Sequence, residues 1–192
     1  MKPGQKVFIQ AGSGGVGTFA IQLAKHLGAT VATTTRAKNI ELVKSLGADV
    51  VIDYKAQDFE KVLSGYDLVL NSQDSKTLMK SLGVLKRGGQ LISISGPPDP
   101  AFAKELGLNP FLKLVLRVLS RGVRKKAKQL GIHYSFLFMR TQGQQLSQIT
   151  SLIEAGAIRP VVDKVFPFEK TGEALAYVET GRAKGKFVIS VK

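Results

Sequence analysis

Short apolar runs alternate along the first half of the chain with segments whose apolar residues recur every three or four positions. Five such runs precede residue 96: KVFIQA, TVATTT, DVVIDY, YDLVLNS and GGQLISIS. Apolar runs of this length are typical of buried strands, and the segments between them have the periodicity of helices. The pattern predicts an α/β fold, a Rossmann-type doubly wound parallel sheet of about six strands with helices on both faces.

The alternation changes after residue 96. Residues 101–130 are predicted to form helices interrupted at Pro110 and Gly122. The predicted elements that follow are, in order, the strand IHYSFLFM, the helix GQQLSQITSLIEAG, the strand VVDKVFPF, the helix TGEALAYVETG and the strand GKFVISV.

Three glycines with the spacing G-x-G-x-x-G, namely Gly12, Gly14 and Gly17, follow the first strand and lead into the helix predicted over 15–27. Glycines let the backbone approach a pyrophosphate, and a helix N-terminus supplies free N–H groups and a positive dipole. The strand before the motif and the helix after it favour a dinucleotide site. The alternative is a tight turn that binds nothing.

The end of the second predicted strand indicates which dinucleotide would bind. An NAD site usually has Asp or Glu about 20 residues after the glycines. Here the sequence is TTTRAKN, with Thr35, Arg36 and Lys38 and no acidic residue. A carboxylate would repel a 2′-phosphate, whereas arginine offers it a planar fork of donors, so these residues favour NADP(H) over NAD. The alternative is that Arg36 and Lys38 are merely solvated at a helix start, where cations are unfavourable.

Composition excludes several kinds of site. The 192 residues include no cysteine, which excludes disulfides, a thiolate nucleophile and cysteine-based zinc sites. The two histidines, His26 and His133, are far apart in sequence, and no cluster of carboxylates accompanies them, so we predict no metal site. A G-x-S-x-G motif is absent, and no catalytic residue is assigned. Without a signal-peptide pattern or an apolar run of about 18 residues, the chain is predicted to be cytoplasmic.

The net charge of +14 is unevenly distributed. No acidic residue lies between Glu105 and Glu154, a segment with eight cations: Lys113, Arg117, Arg121, Arg124, Lys125, Lys126, Lys128 and Arg140. Five of them, spaced by three or four, would share one helical face within residues 111–128. This helix could bind an anionic membrane surface, making the protein peripheral to a membrane, or form a lid over a substrate cleft. The alternative is a core-covering helix with a solvated basic face, or a helix that packs on a domain absent from this chain. Because no nucleic-acid motif is recognised, binding to nucleic acid is not predicted.

Three stretches resemble the medium-chain dehydrogenase/reductase superfamily, and most closely its zinc-free quinone oxidoreductases and enone reductases: AGSGGVGTFAIQLAKHLGA, KNIELVKSLGADVVIDYK and GRAKGKFVI. In that family an A-x-x-G-G-V-G motif holds the pyrophosphate, and a basic residue and a tyrosine bind the 2′-phosphate. The positions that match the pyrophosphate motif are Ala11, Gly14, Gly15, Val16 and Gly17. Lys38 and Tyr54 match the 2′-phosphate positions, and Arg36 stands where several members have serine.

The same resemblance implies positions for the rest of the cofactor. Asn71 and Ser72 would lie near the adenosine side, and Ser95, Gly96 and the strand around Phe136 and Phe138 would flank the nicotinamide. Lys186 matches a lysine of the family's closing strand. The strand at 132–139 resembles an edge through which family members pair, which implies a homodimer.

By resemblance, the chain is the NADPH-binding portion of an oxidoreductase that transfers hydride to a small apolar acceptor, a quinone or another activated alkene or carbonyl. We expect residues 1–165 to form the NADP-binding Rossmann domain and residues 166–192 to be a closing segment that packs on an absent N-terminal substrate domain. The chain alone would then bind NADPH and turn over poorly. The alternative is a stand-alone, non-catalytic nucleotide-binding or membrane-surface module.

Overall fold

The computed structural model of the chain describes residues 1–181 and 183–191. Within these residues the strands are β1 (Lys6–Ile9), β2 (Thr30–Thr35), β3 (Val50–Asp53), β4 (Tyr66–Asn71), β5 (Leu85–Ser93), β6 (His133–Phe136), β7 (Val162–Pro167) and β8 (Lys186–Ser190). The α-helices are α1 (Gly17–His26), α2 (Ile40–Ser45), α3 (Phe59–Val62), α4 (Ser75–Ser81), α5 (Pro100–Glu105), α6 (Pro110–Leu119), α7 (Arg121–Leu130), α8 (Gly143–Glu154) and α9 (Thr171–Glu179).

The first six strands form one parallel sheet in the order β3-β2-β1-β4-β5-β6. The chain moves outward from β1 to β3 and then crosses back to add β4 on the other side of β1. This order is that of the doubly wound Rossmann fold, so the predicted fold class is confirmed. A topological switch point lies between β1 and β4, where ligands of such sheets bind beyond the carboxyl ends of the strands.

Both faces of the sheet are covered, which explains the continuous apolar runs. Alternate residues of β1 point to opposite faces: Val7 and Ile9 pack in the cluster beside α1, whereas Phe8 packs in the cluster with Leu78 and Leu91. All three β1 side chains are buried. A strand with no solvent-facing side has no reason to alternate with polar residues.

The last two strands form a separate parallel pair, β7 with β8, and α9 connects them. We call β7, α9 and β8 the closing unit. It meets the glycine-rich turn at one edge, where Gly185 N donates to Ser13 O at 2.9 Å. The boundary proposed at residue 165 falls inside β7, and the division into 1–165 and 166–192 stays a prediction.

Two predicted boundaries were wrong. The helix break expected at Gly122 lies at Ser120, because the Ser120 backbone (φ −85°, ψ −2°) departs from helical geometry between the end of α6 at Leu119 and the start of α7 at Arg121. The basic residues of 111–128 are therefore divided between two helices and share no single helical face. The strand expected over 132–139 ends at Phe136, because its partner β5 ends at Ser93 and offers only one further bond, from Leu137 N to Ser93 O.

In the part of the chain that the structure describes, no helix combines the length and apolar character needed to cross a bilayer.

Candidate nucleotide-binding site

The glycine-rich turn between β1 and α1 is held in place by β2. Ala11 adopts a left-handed conformation with φ of 51°, and its N–H donates to Thr34 Oγ1 at 3.1 Å. Gly12 N donates to Thr34 O at 2.9 Å, and Thr33 Oγ1 donates to Ile9 O at 2.6 Å. The threonines of TVATTT thus fix the backbone of the turn, a role that the sequence analysis did not assign to them.

Two of the three motif glycines are required by close packing. A Cβ on Gly12 would lie 2.1 Å from Thr33 Oγ1, and a Cβ on Gly17 would lie 2.3 Å from Ala11 O. The turn therefore folds tightly against its own backbone and against β2. Beyond it, the N–H groups of Gly15 and Val16 donate to no backbone carbonyl among the described residues, which leaves them available at the positive end of α1.

A cleft of about 470 Å³ opens beside this turn, beyond the carboxyl ends of β2 and β3. Six predicted site residues line it: Ala11, Gly14, Thr35, Arg36, Lys38 and Tyr54. Residues that the sequence analysis did not select also line it, among them Ser13, Asn39, Gln73, Lys76 and Lys80. The last three lie on α4 or just before it, and only the fold brings them near the turn.

One wall of the cleft is a small polar network. Ser13 Oγ accepts hydrogen bonds from Thr35 Oγ1 at 2.9 Å and from Asn39 Nδ2 at 3.1 Å. Thr35 is almost fully buried, so its hydroxyl positions Ser13. The other amide atom of Asn39, Oδ1, is buried and has no hydrogen-bond partner among the described residues. A buried acceptor without a partner is unfavourable, so this atom suits a ligand that brings a donor.

The end of β2 carries positive charge. Arg36 Nε donates to Tyr54 Oη at 2.7 Å, which joins the ends of β2 and β3 and raises the pKa of Arg36. Among the described residues, Arg36, Lys38 and Lys76 form no ion pair. These cations are therefore available to an anionic ligand.

The carboxylate that lines the described cleft is already paired. Asp58 accepts from Lys80 Nζ at 3.1 Å, and this hydrogen bond is the main reason why the pKa of Asp58 is lowered. Lys80 Nζ also lies 2.7 Å from Glu60 Oε1. Because Asp58 and Lys80 neutralise each other, the charge that faces a ligand comes from Arg36, Lys38 and Lys76.

The remaining predicted residues of the turn lie around it. Gly12 and Gly17 are buried within the turn, and Val16 is exposed at the start of α1. Gly15 faces the closing unit, because a Cβ there would lie 3.0 Å from Gly185 O and 3.3 Å from Lys186 Nζ. The fold therefore brings Lys186, more than 160 residues away in sequence, to the glycine-rich turn.

Asn71 is used inside the protein. Its side chain is fully buried, Nδ2 donates to Gln10 Oε1 at 2.6 Å, and Oδ1 accepts from Ser93 Oγ at 2.6 Å. Gln10 Nε2 continues the network to Ser81 Oγ at 2.5 Å. This network ties together the carboxyl ends of β1, β4 and β5. Asn71 is not among the residues that line the cleft.

Ser95, Gly96, Phe136 and Phe138 lie toward the β6 side of the sheet and do not line the cleft. Ser95 Oγ donates to Gln73 O at 2.7 Å, and Gly96 N donates to Ser93 Oγ at 2.8 Å. Phe136 and Phe138 both pack on Phe102, with ring centroids 5.1 and 5.9 Å apart. Since β4 and β5 lie between β1 and β6, this aromatic cluster lies toward the opposite side of the sheet from the cleft.

Within residues 1–181 and 183–191 no group of three or more His, Cys, Asp or Glu could hold a metal ion. His26 and His133 are both outside the cleft.

Comparison with known proteins places the chain in a family. The sequence model of the family described as zinc-binding dehydrogenase matches residues 46–189. The chain is 37% identical, over 193 residues, to "NAD(P)H oxidoreductase RTN4IP1, mitochondrial" of Danio rerio, covering 97% of this chain and 49% of that protein. It is 33% identical, over 190 residues, to the 2-methylene-furan-3-one reductase of Solanum lycopersicum, covering 97% of this chain and 40% of that protein.

Among solved structures, the quinone oxidoreductase from Coxiella burnetii aligns with 100% of this chain and 54% of its own, with a TM-score of 0.82 and 28% identity. The chain thus spans 40% to 54% of the length of these two relatives and of this solved structure. The resemblance predicted from the glycine-rich turn and the two other stretches is confirmed. The chain belongs to the zinc-binding dehydrogenase family, within the medium-chain dehydrogenase/reductase superfamily.

Proposed function

We propose that the cleft binds NADP(H) and that the chain is the cofactor-binding portion of an oxidoreductase that reduces a quinone or another activated alkene or carbonyl. One observation carries the choice of cofactor. The end of β2 presents the Arg36–Tyr54 pair and Lys38 beside the glycine-rich turn, with no carboxylate at the position that would bind a ribose hydroxyl. A 2′-phosphate would complement this charge, and an unphosphorylated ribose would leave it uncompensated.

The residues of the turn and of the polar wall suit the other parts of a dinucleotide. The free N–H groups of Gly15 and Val16 at the start of α1 would donate to the pyrophosphate, and Lys186 Nζ adds a positive charge next to them. The unpartnered Oδ1 of Asn39 would accept a hydrogen bond from a ribose hydroxyl. Ala11, Ser13 and Thr35 hold this wall in shape before any ligand arrives.

The type of reaction is supported by the relatives, whose printed names are NAD(P)H oxidoreductase, 2-methylene-furan-3-one reductase and quinone oxidoreductase. These names favour an oxidoreductase over the non-catalytic module considered above. When bound, NADPH supplies the hydride, and the protein binds, orients and shields the reacting groups. Although the family is named for zinc, the described residues do not form a zinc site, and no step proposed here needs one.

The nicotinamide side of the proposed site is the region of Ser95, Gly96, Phe136 and Phe138. The aromatic cluster there would offer an apolar surface to an apolar acceptor. Pairing of two copies through residues 132–139 stays a prediction that is compatible with β6 lying at the edge of the sheet. A cytoplasmic location likewise stays a prediction.

The test of the cofactor is a pair of fluorescence titrations, with NADPH and with NADH. Arg36→Ala removes a charge-assisted contact to the 2′-phosphate, so we expect it to weaken NADPH binding by about 10- to 100-fold. NADH has no 2′-phosphate, and its affinity should change by less than about threefold.

The matched control is Lys44→Ala, which removes an exposed cation of α2 that does not line the cleft. It should leave both affinities unchanged. Tighter binding of NADH than of NADPH by the unmodified chain, or an equal loss of both in Arg36→Ala, would contradict the choice of NADP(H).

A further inference from the structure

Helix α6 is amphipathic but hardly packed. None of its ten residues is buried, although eight of them are apolar or proline. Its most exposed apolar side chain, Phe111, is 71% exposed. The other large apolar side chains on its surface are Leu112, Leu114, Val118 and Leu119. A helix in water normally buries its apolar stripe, so this one lacks its natural covering within the described chain.

The polar residues of α6 occupy one narrow arc. With 100° per residue, Lys113 and Arg117 project on the same side, and the apolar residues fill the rest of the circumference. Both cations are exposed. A broad apolar face bordered by lysine and arginine is typical of helices that lie in the plane of a membrane interface.

Helix α7 continues the positive charge immediately after Ser120. It contributes five cations: Arg121, Arg124, Lys125, Lys126 and Lys128. The seven cations of α6 and α7 form no ion pair with any residue in 1–181 and 183–191, although Lys126 Nζ donates to Met79 O at 3.1 Å.

This arrangement is unfavourable for α7 by itself. Arg121 and Lys125, and likewise Arg124 and Lys128, are like charges four residues apart on one helix. Arg121 also stands at the positive end of the helix dipole, and no acidic residue occurs in the first turn. An external surface with many negative charges would relieve these repulsions.

A shallow hollow of about 450 Å³ lies on the same basic surface. It is lined by Arg124 and Lys128 of α7 together with His133 and Tyr134 of β6. Its cationic side chains and its open shape suit a phosphate-bearing group that approaches from outside.

We propose that α6 and α7 dock the chain on the surface of an anionic phospholipid bilayer. The apolar side chains of α6 would enter the boundary between headgroups and acyl chains, while the cations of both helices contact lipid phosphates. Charge and apolarity together favour this occupant over a second copy of the chain or a nucleic acid. A second copy of the chain would cover the apolar face but would bring the same positive charges, and a nucleic acid would compensate the charges but leave the apolar face in water.

The experiment is a vesicle co-sedimentation series with the full chain. The vesicles are phosphatidylcholine alone or with about 30% phosphatidylserine, in about 50 mM and about 500 mM salt. We expect binding to the anionic vesicles at low salt, much weaker binding to the neutral vesicles, and loss of most binding at high salt.

Variants separate the two contributions. Phe111→Ser with Val118→Ser removes the apolar insertion and should lower the partition coefficient at least about tenfold. Arg121→Gln with Lys125→Gln should lower it about fivefold for each cation and reduce its dependence on salt. The matched controls are Leu146→Ser on α8, where the side chain is 65% exposed, and Lys44→Gln on α2, and both should bind as the unmodified chain does.

Circular dichroism and the thermal midpoint establish that each variant is folded. Vesicle binding is measured without NADPH, so its result does not depend on the proposed cofactor. Several outcomes would overturn the proposal: no binding to anionic vesicles at low salt, or equal binding to neutral vesicles. A chain that does not bind vesicles but forms a dimer, which Phe111→Ser abolishes, would also overturn it. So would binding to duplex DNA that anionic vesicles cannot displace.

Discussion

The six-stranded sheet and the closing unit are both parallel strand pairings joined by a helix, yet they differ in burial. Five of the six residues of β2 are buried, whereas no residue of β7 or β8 is buried in the described structure. Both kinds of strand pair in parallel, although the β7–β8 pair has a register shift between Val162 and Lys164. The difference shows that two strands can pair without forming a buried core. The β7–β8 pair is supported by α9 and by the bond from Gly185 N to Ser13 O, whereas a buried core needs a layer on each face of the sheet.

The closing unit nonetheless has a defined attachment to the sheet. Gly185 N donates to Ser13 O at 2.9 Å, and Lys186 Nζ lies beside Gly15. Close to β7, Gln22 of α1 exchanges two hydrogen bonds with the backbone of Arg159. The unit is therefore held by its edge to the glycine-rich turn, while the residues of both its strands stay half-buried or exposed.

The largest expected effect is in the core of the sheet. Leu91→Ala truncates a fully buried side chain of β5, and we expect it to reduce the free energy of unfolding by about 2–5 kcal/mol through lost contacts and a cavity. Leu175→Ala makes the same change on α9, where the side chain is 58% exposed, and should cost less than about 0.5 kcal/mol. Urea unfolding measures both, and similar losses would contradict the contrast in burial.

A smaller effect is expected from two glycines in the first turns of helices. Gly17→Ala at the start of α1 places a Cβ 2.3 Å from Ala11 O, so we expect a loss of about 1–3 kcal/mol, accompanied by weaker NADPH binding because the turn must shift. Gly172→Ala in α9 meets nothing within 4 Å and should be neutral or stabilising by up to about 1 kcal/mol. Thermal melts with and without NADPH check both changes. A destabilised Gly172→Ala would show that α9 is more tightly enclosed.

The smallest expected effect concerns pH. Burial tends to raise the pKa of Asp49, but its bonds to Val31 N at 2.7 Å and Lys25 Nζ at 2.9 Å outweigh it, and the pKa is lowered. Burial likewise opposes ionisation of Asp163 in β7, yet Tyr177 Oη at 2.5 Å and Lys184 N at 3.0 Å lower its pKa. Each carboxylate therefore stabilises the fold above the unfolded pKa of about 3.9, and this contribution is lost as the pH falls through the lower folded pKa.

We expect Asp49→Asn and Asp163→Asn each to flatten the fall of the thermal midpoint between pH 5 and pH 3 slightly, since partly exposed pairs contribute about 1 kcal/mol or less. Equal flattening would show that the closing unit unfolds together with the sheet. If only Asp49→Asn changed the main transition, the closing unit would unfold separately.

Part of the site could be predicted from residues close together in sequence. The glycine-rich turn, Arg36 and Lys38 come directly after strands in the sequence. Because parallel strands bring their carboxyl ends to one edge of the sheet, these residues could be predicted to lie together. The roles of Thr33 and Thr34 could not be predicted. Buried hydroxyls need partners, and the nearest groups are the backbone atoms of the turn on the neighbouring strand.

Other parts of the site depended on distant segments. Ser13, from the glycine-rich turn, accepts a hydrogen bond from Asn39 Nδ2, whereas Asn39 Oδ1 has no partner in the described part of the chain. Lys76 and Gln73 reach the cleft from the region of α4, which the strand order places beside β1. No periodicity within those segments indicates that position.

By itself the sequence determined the strands and helices, the tight turn at Gly12–Gly17 and the absence of an acidic residue after β2, because these depend on local backbone preference and on charge. Only the tertiary structure decided that α6 and α7 separate at Ser120, that β6 ends at Phe136, that Arg36 is joined to Tyr54, and that Phe111 lies on the surface. Each of these depends on which distant residues are near enough to bond or pack, and nearness in space is set by the assembled sheet.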